Sequence, residues 1–245
     1  MTLTGTRTYV VGQRRVAVID PGSAVATHLE AITKAIGDAQ VSGILLTHLH
    51  SDHVSGSHEL AERIGAEVYA IGLGTLSDGH RITTDAGDLI GRHTPGHTPD
   101  HAAFQWPEND AVFCGDLMMG GLETALVAPP EGNLRDYLDS LEMLRTLRPR
   151  VIHPAHGESF ADPDGAIDAY MRHRRERIDG VLDALGTGAS DIEAIVDEVY
   201  GDSVPRELRH VASEAVKAYL DYLLAQGRVE RVRGGWTLSV PPTRG

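Results

Sequence analysis

The sequence predicts an α/β (α+β) fold that carries a small helical, winged-helix-like module at its C-terminal end. Three observations lead there. Up to Phe160, short β-rich runs alternate with amphipathic stretches, the pattern of mixed α/β layers. After Phe160 the chain turns to long helical runs broken at Gly186, Gly188, Gly201 and Pro205. It closes with two short β-rich runs around Gly234-Gly235, so helix, helix and hairpin follow in the order of a winged helix. The expected division is one domain over residues 1–160 and the module over residues 161–245.

Each element has a local reason. Thr8–Val11 and Val16–Ile19 read as strands, with Gly12-Gln13-Arg14-Arg15 as the turn of a hairpin. Asp20-Pro21-Gly22 closes the next turn, and His28–Ile36 is a short amphipathic helix stopped at Gly37. Ile44–Thr47 reads as a buried strand, Ser57–Ile64 as a helix stopped by Gly65, and Val68–Ile71 as another strand. A loop-rich stretch follows, in which Leu89–Gly91 leads into the Pro95-Gly96 turn. Ala102–Trp106 and Ala111–Cys114 pair across Pro107-Glu108-Asn109-Asp110. Asn133–Leu147 is a helix with Leu134, Tyr137, Leu138, Leu141 and Leu144 on its apolar side, and Arg150–Ile152 is a last strand. The C-terminal helices are expected over Ala166–Leu185, Asp191–Tyr200 and Pro205–Gln226.

Composition narrows the class. With 41% hydrophobic and 23% charged residues among 245, the chain is neither disordered nor collagenous. No apolar run approaches the ~18 residues that span a bilayer, so no membrane partner is expected. The first twenty residues lack the order of a signal peptide, and the single cysteine, Cys114, fits a reducing compartment. A cytoplasmic location is the expectation. The net charge of −13 disfavours a sequence-independent grip on nucleic acid, though not a local cationic site made by bound metal. Thirteen histidines stand out, because imidazole is the commonest metal ligand.

The central feature is Thr47-His48-Leu49-His50-Ser51-Asp52-His53, placed directly after a buried strand. Extended backbone puts His48 and His50 on one side, and the turn into the next helix aims Asp52 and His53 at a second point. Imidazole nitrogens with a carboxylate oxygen suit zinc or a similar divalent ion. Adjacent free histidines and an aspartate without metal need separate partners, which makes a plain polar loop the weaker reading. His97, Asp116 and His156 add three candidates, each in a Gly-bearing loop after a strand-like run. Behind the H-x-H-x-D-H string, this ordered set makes a two-metal site the better reading.

The same set resembles the metallo-β-lactamase superfamily, which implies an αββα sandwich with a binuclear site at one edge. Carried over, the resemblance implies that His48, His50 and His97 hold one metal and that Asp52, His53 and His156 hold the other, with Asp116 between them. Ile19-Asp20-Pro21-Gly22 matches the family's early Asp-x-Gly turn, so Asp20 either buttresses ligand histidines or caps local backbone. The opening Met1–Tyr9, the run His93–His101 and Tyr170–Arg174 are similar to the β-lactamase-like-protein-2 group. That group adds a winged-helix-like domain, and its mitochondrial members are single-strand endoribonucleases. Its chains usually carry one more strand ahead of the point where Met1 stands, and asparagine where this chain has Arg7.

The resemblance implies a binuclear metal-dependent hydrolase that uses a metal-bridging hydroxide. Two divalent ions, the carboxylates Asp52 and Asp116 and a shared hydroxide sum to roughly one positive charge, which favours an anionic or developing-oxyanion substrate. Zinc lowers the pKa of bound water to about 7, so Zn²⁺ is the expected ion, with Mn²⁺ or Fe²⁺ as alternatives. Asp52 is the catalytic candidate, able to accept the proton of the attacking water. Asp100 and His101 have two readings, a reach to substrate or, favoured, a supporting hydrogen bond. His93 and His153 read as supporting, Cys114 as a buried inert thiol, and Arg172–Arg177 as a solvated helix face.

The substrate stays open between single-stranded RNA and a small molecule. RNA follows from the family likeness, yet residues 161–245 carry 11 basic against 15 acidic residues. A thioester, ester or lactone hydrolase similar to glyoxalase II is the main rival, and β-lactam turnover a weaker one. The non-enzymatic alternative is a winged-helix nucleic-acid-binding protein with a structural metal site. The module either roofs the active site or pairs two subunits as a homodimer, and composition separates neither.

Overall fold

A computed structural model describes residues 5–121 and 124–239. Met1–Thr4, part of the opening run compared above, lie outside the described residues. The first sheet has the order β1 (Tyr9–Val11), β2 (Arg15–Ile19), β3 (Gln40–Leu45) and β4 (Val68–Tyr69). β1 and β2 form the expected antiparallel hairpin, while β2, β3 and β4 run parallel. Parallel neighbours need crossovers, and α1 (Ala26–Ile36) and α3 (Ser57–Ile64) supply them. The second sheet has the order β5 (Arg81–Thr84), β6 (Gly87–His93), β7 (Ala102–Trp106), β8 (Ala111–Gly115) and β9 (Val151–Pro154). It is antiparallel up to β8, and α4 (Leu134–Thr146) makes the crossover to parallel β9.

Side chains alternate across each strand and so define four layers. Ala17, Ile19, Leu45, Phe104 and Phe113 fill the space between the two sheets. Val16, Val18, Ile44 and Leu46 point the other way, onto Leu29 and Ile32 of α1 and Leu60 of α3. On the far side Ala103, Val112, Cys114 and Ile152 meet Tyr137, Leu141 and Leu144 of α4. This is an αββα sandwich.

The same outer core runs on into α5 (Pro163–Thr187), α6 (Ile192–Tyr200) and α7 (Arg209–Ala225), then into the hairpin β10 (Val229–Val232) and β11 (Gly235–Leu238). Asn133, Asp162 and Asp191 begin α4, α5 and α6 by accepting the backbone N–H three residues on. No described helix is long and apolar enough to cross a membrane.

Among the elements that differ from expectation are β3 and β5. β3 starts at Gln40 rather than Ile44, because pairing with β2 from Arg15↔Gln40 onward carries the polar Ser42 and Gly43 into the sheet. The stretch before Leu89 reads as loop but forms β5, which pairs with β6 and buries Ile82 between the sheets. A single large apolar residue left too little periodicity to mark it.

Candidate metal centre

The candidate ligands all lie in loops that follow a strand: Thr47–His53 after β3, His97 after β6, Asp116 after β8 and His156 after β9. Thr47 stays tied to the second sheet, its carbonyl accepting from Ala102 N–H at 2.7 Å. His50 then caps a single turn of helix, α2 (Ser51–Val54), which swings Asp52 and His53 away from the direction of His48 and His50. Two glycines allow the other loops to close in. Gly96 has φ +131°, and a Cβ there would lie 2.3 Å from the Tyr137 backbone. Gly115 has φ +52°, and its Cβ would lie 2.6 Å from His101 Nε2.

The loops bring two groups of donors together. His50 Nδ1 lies 3.0 Å from His48 Nε2 and 3.2 Å from His97 Nε2. In the second group, His156 Nε2 is 3.3 Å from Asp52 Oδ2, and His53 Nε2 is 3.6 Å from the same oxygen. Asp116 faces both. Its Oδ1 lies 3.3 Å from His156 Nε2 and 3.4 Å from His53 Nε2, and its Oδ2 is 3.8 Å from His97 Nε2. His48, His53 and Asp116 form a third, fully buried combination across the two.

The far nitrogen of each ring decides what the near one offers. Carboxylate and carbonyl oxygens can only accept, so a ring nitrogen bonded to one must carry the proton. His50 Nε2 donates to Glu131 Oε2 at 2.9 Å, His97 Nδ1 to the Leu126 carbonyl at 2.8 Å, and His53 Nδ1 to Asp20 Oδ2 at 2.9 Å. His156 Nδ1 donates to the Gly5 carbonyl at 3.1 Å. The Thr47 hydroxyl donates to Asp20 Oδ2 at 2.7 Å, which leaves its oxygen to accept from His48 Nδ1 at 3.1 Å. With the rings neutral, all five inward nitrogens are therefore lone pairs, and they meet two carboxylates.

Such a pocket holds acceptors only, and it needs positive charge. Among the described residues no lysine or arginine is ion-paired with Asp20, Asp52 or Asp116. His53 Nε2 and Asp116 Oδ1 are buried without a hydrogen-bond partner. Nitrogen and oxygen donors without sulfur suit borderline or hard divalent cations. The residues present thus fit bound metal.

Without a cation, protons take its part. Burial opposes charge on the His53 ring, but Asp20 and Asp116 outweigh it and push its pKa up to about 10. Burial likewise opposes charge on His156, and Asp116 prevails to raise it. Burial would raise Asp116, yet the His156 and His53 rings hold it well below the usual carboxylate range. His48 is lowered by burial and by the neighbouring His53, and His97 by burial against the pull of Asp116. A bound cation would compete with the protons that these carboxylates favour on His53 and His156.

The other candidates fall outside the two groups. Asp20 is buried, and its Oδ1 accepts from Thr47 N–H at 2.8 Å while Oδ2 holds His53, so it acts as a buttress and a backbone cap together. His101 is buried behind Asp116. Its Nδ1 donates to Thr94 Oγ1 at 2.8 Å and its Nε2 accepts from Asp116 N–H at 3.2 Å, so it steadies the loop and faces no solvent. Burial, then the nearby His97, pushes its pKa down to about 3. Asp100 is partly exposed, near Leu49 and Gly72 at the rim. His93 bonds Pro99 O, and His153 stacks on Phe113 and bonds Ser159. Cys114 is fully buried in β8. Within Arg172–Arg177, Arg174 is not on a solvated face: it is buried, against Tyr219 and Tyr137.

Two participants have no role in the sequence reading. Thr47 connects Asp20 to two ligand rings, and its position just before the string was the available signal. Glu131 lies 81 residues from the ring it holds, with no periodic or motif signal.

Comparison with known proteins gives the same outline. The family described as Metallo-beta-lactamase superfamily matches residues 1–80 and 74–156, and the Beta-lactamase associated winged helix domain matches residues 192–236. The chain is 29% identical over 259 residues to an Atrochrysone carboxyl ACP thioesterase from Aspergillus fumigatus, covering 96% of this chain and 60% of that protein. It is 28% identical to the Beta-lactamase-like protein 2 homolog of Caenorhabditis elegans, covering 94% of this chain and 82% of the relative. A crystal structure of a metallo-beta-lactamase family protein from Thermus thermophilus shares the fold with a TM-score of 0.79 at 21% identity, over 95% of this chain and 93% of that one.

Proposed function

The chain belongs to the metallo-β-lactamase superfamily, and from that membership we propose a hydrolase that uses two divalent cations to cleave an acyl thioester or ester. One observation carries the proposal: five histidines and two aspartates turn only acceptors into one pocket, each ring held from behind in the tautomer that frees its inward nitrogen. His48, His50 and His97 would hold one ion, Asp52, His53 and His156 the other, and Asp116 has an oxygen toward each. Zn²⁺ is the proposed ion, with Mn²⁺ or Fe²⁺ accepted by the same donors. When bound, such ions lower the pKa of water and offset negative charge developing on the substrate.

The chain's own residues account for the rest. Asp52 is 32% exposed at its side chain against 10% for Asp116, so it is the carboxylate that solvent and substrate reach. We assign it to accept the proton lost as water adds to the carbonyl, and to return it to the leaving sulfur or oxygen. Asp20, Thr47 and His101 keep the rings and the Asp116 loop from turning, which holds the site open at the correct geometry before substrate arrives.

The acyl assignment is supported by similarity to a protein named as a thioesterase and by the surroundings of the ligands. Leu49, between two ligand histidines, and Leu126, whose carbonyl holds His97, are both exposed. Arg7, whose backbone bonds Ala155 beside His156, is ion-paired with Glu158 at 3.1 Å. Exposed leucines, the acidic Asp100 and Glu131 beside them, and a nearby arginine already engaged suit an acyl chain better than a polyanion. The winged-helix module is the observation on the side of single-stranded RNA. We also propose the division at 160/161, just before α5 begins.

The test is a parallel assay of zinc- and manganese-loaded protein on an acyl thioester, a lactone, a chromogenic cephalosporin and single-stranded RNA, with His50→Ala as control. Thioester turnover that a chelator abolishes and metal restores is the expected result. RNA cleavage without thioester turnover would remove the acyl assignment and leave the metal assignment standing. Full hydrolysis by protein shown metal-free by elemental analysis would remove both.

A further inference from the structure

Two of the five candidate rings are backed by buried side chains, the Thr47 hydroxyl and the Asp20 carboxylate, and two by backbone carbonyls, those of Leu126 and Gly5. His50 is different. Its side chain is 38% exposed, and its backing group is the Glu131 carboxylate, itself 59% exposed. Glu131 sits on the segment that leads into α4. Because its oxygen can only accept, the proton stays on His50 Nε2, and Nδ1 is the atom left facing His48 and His97. A flipped tautomer would put a proton between three nitrogens that must all be lone pairs.

The segment that presents Glu131 is fastened on both sides. Toward the site, Leu126 O holds His97, and Asn133 N–H donates to Gly96 O at 2.9 Å, next to the same ligand. Away from the site, Ala125 O accepts from the buried guanidinium of Arg174 on α5, which also donates to Tyr219 Oη of α7 at 2.9 Å. Gly132 N–H donates to Ala128 O at 2.7 Å and closes the turn around Glu131. One strap, held by helices that follow residue 160, thus supplies the acceptors for two of the three rings in the first group.

We propose that Glu131 is a positioning residue for the first group of donors: it sets the tautomer and orientation of His50, and the helices α5 and α7 keep it there. The proposal rests on the two-metal reading above and adds a function for the C-terminal helices within it. A carboxylate behind a ligand imidazole fixes the ring and raises its basicity, and its removal costs about 10–100-fold in metal affinity.

The test compares Glu131→Ala and Glu131→Gln with the parent protein. Zinc is titrated in competition with a chromophoric chelator, ring-nitrogen NMR reads the histidine tautomers of the metal-free protein, and thermal melts report the fold. In Glu131→Ala one of the two ions should bind about 10–100-fold more weakly while the other holds within about twofold. His50 should then populate both tautomers. Glu131→Gln should recover most of the loss, since its amide oxygen still accepts from Nε2–H. The inference is overturned if Glu131→Ala binds both ions like the parent with an unchanged tautomer. It is overturned equally if both ions weaken together with a lowered melting temperature, which would make Glu131 a support of the fold. Parent protein that binds no divalent ion would sink the two-metal reading, and the tautomer measurement would still decide on Glu131.

Discussion

The Thr47 hydroxyl lies 2.7 Å from Asp20 Oδ2, 3.1 Å from His48 Nδ1 and 3.4 Å from His53 Nδ1. Replacing it by valine keeps the volume but leaves His48 Nδ1–H without an acceptor in a buried place. Thr47→Val should therefore lower metal affinity about 10–100-fold, while Thr47→Ser stays near the parent, as measured by chelator competition. At this scale the string His48 to His53 was readable because four donors within six residues have few structural uses. His97, Asp116 and His156 were readable only as members of that set. Glu131 was not readable at all: its role comes from a contact across 81 residues, and a glutamate between proline and glycine looks like any turn residue.

Among the elements, most strands and helices declared themselves through apolar spacing, and Ser57–Ile64 and Ala102–Trp106 have the bounds expected. β5 did not. It exists because β6 offers it backbone partners, and its turn into β6 has a further part to play. Asp85, in that turn, accepts from Gln13 N–H at 2.8 Å and Arg14 N–H at 2.9 Å, so the β1–β2 turn is pinned to the second sheet. These backbone donors hold the Asp85 carboxyl below the usual carboxylate range. A depressed folded-state pKa stabilises above the unfolded value and is lost as pH falls through the folded one. Asp85→Ala should thus be slightly less stable than the parent at neutral pH, and urea melts at falling pH should show the gap closing below the ordinary carboxylate range. Cys114, fully buried in β8, should resist a thiol reagent in the native protein and react at once after unfolding in guanidinium.

For the molecule as a whole, the outer core is continuous from Cys114 and Leu141 through Tyr170 to Val216 and Leu223. The helices after residue 160 therefore complete the packing of the second sheet, and α6 and α7 also lie within the stretch matched by the winged helix domain. Arg174 is the polar centre of that packing: it is buried, lies 4.8 Å from the Tyr137 ring centroid, and bonds Tyr219 and the strap at Ala125. Arg174→Met fills similar space but strands the Tyr219 hydroxyl and the Ala125 carbonyl, each costing about 1–3 kcal/mol. A loss of about 2–5 kcal/mol in denaturant unfolding is expected, with weaker binding of the ion proposed for His48, His50 and His97. A change confined to stability, with both ions held as before, would separate the C-terminal packing from the site.

Residue order alone was enough for the alternation of layers and the closing winged module, and it named seven candidate donors that the fold brings together, because these depend on local spacing and on side-chain chemistry that few other contexts require. Which nitrogen each ring turns inward, that Asp116 faces both groups, and that a helix pair beyond residue 160 braces the His50 side depend on chains meeting across the fold. Hydrogen-bond partners are chosen by distance in space, and a linear pattern carries no record of them.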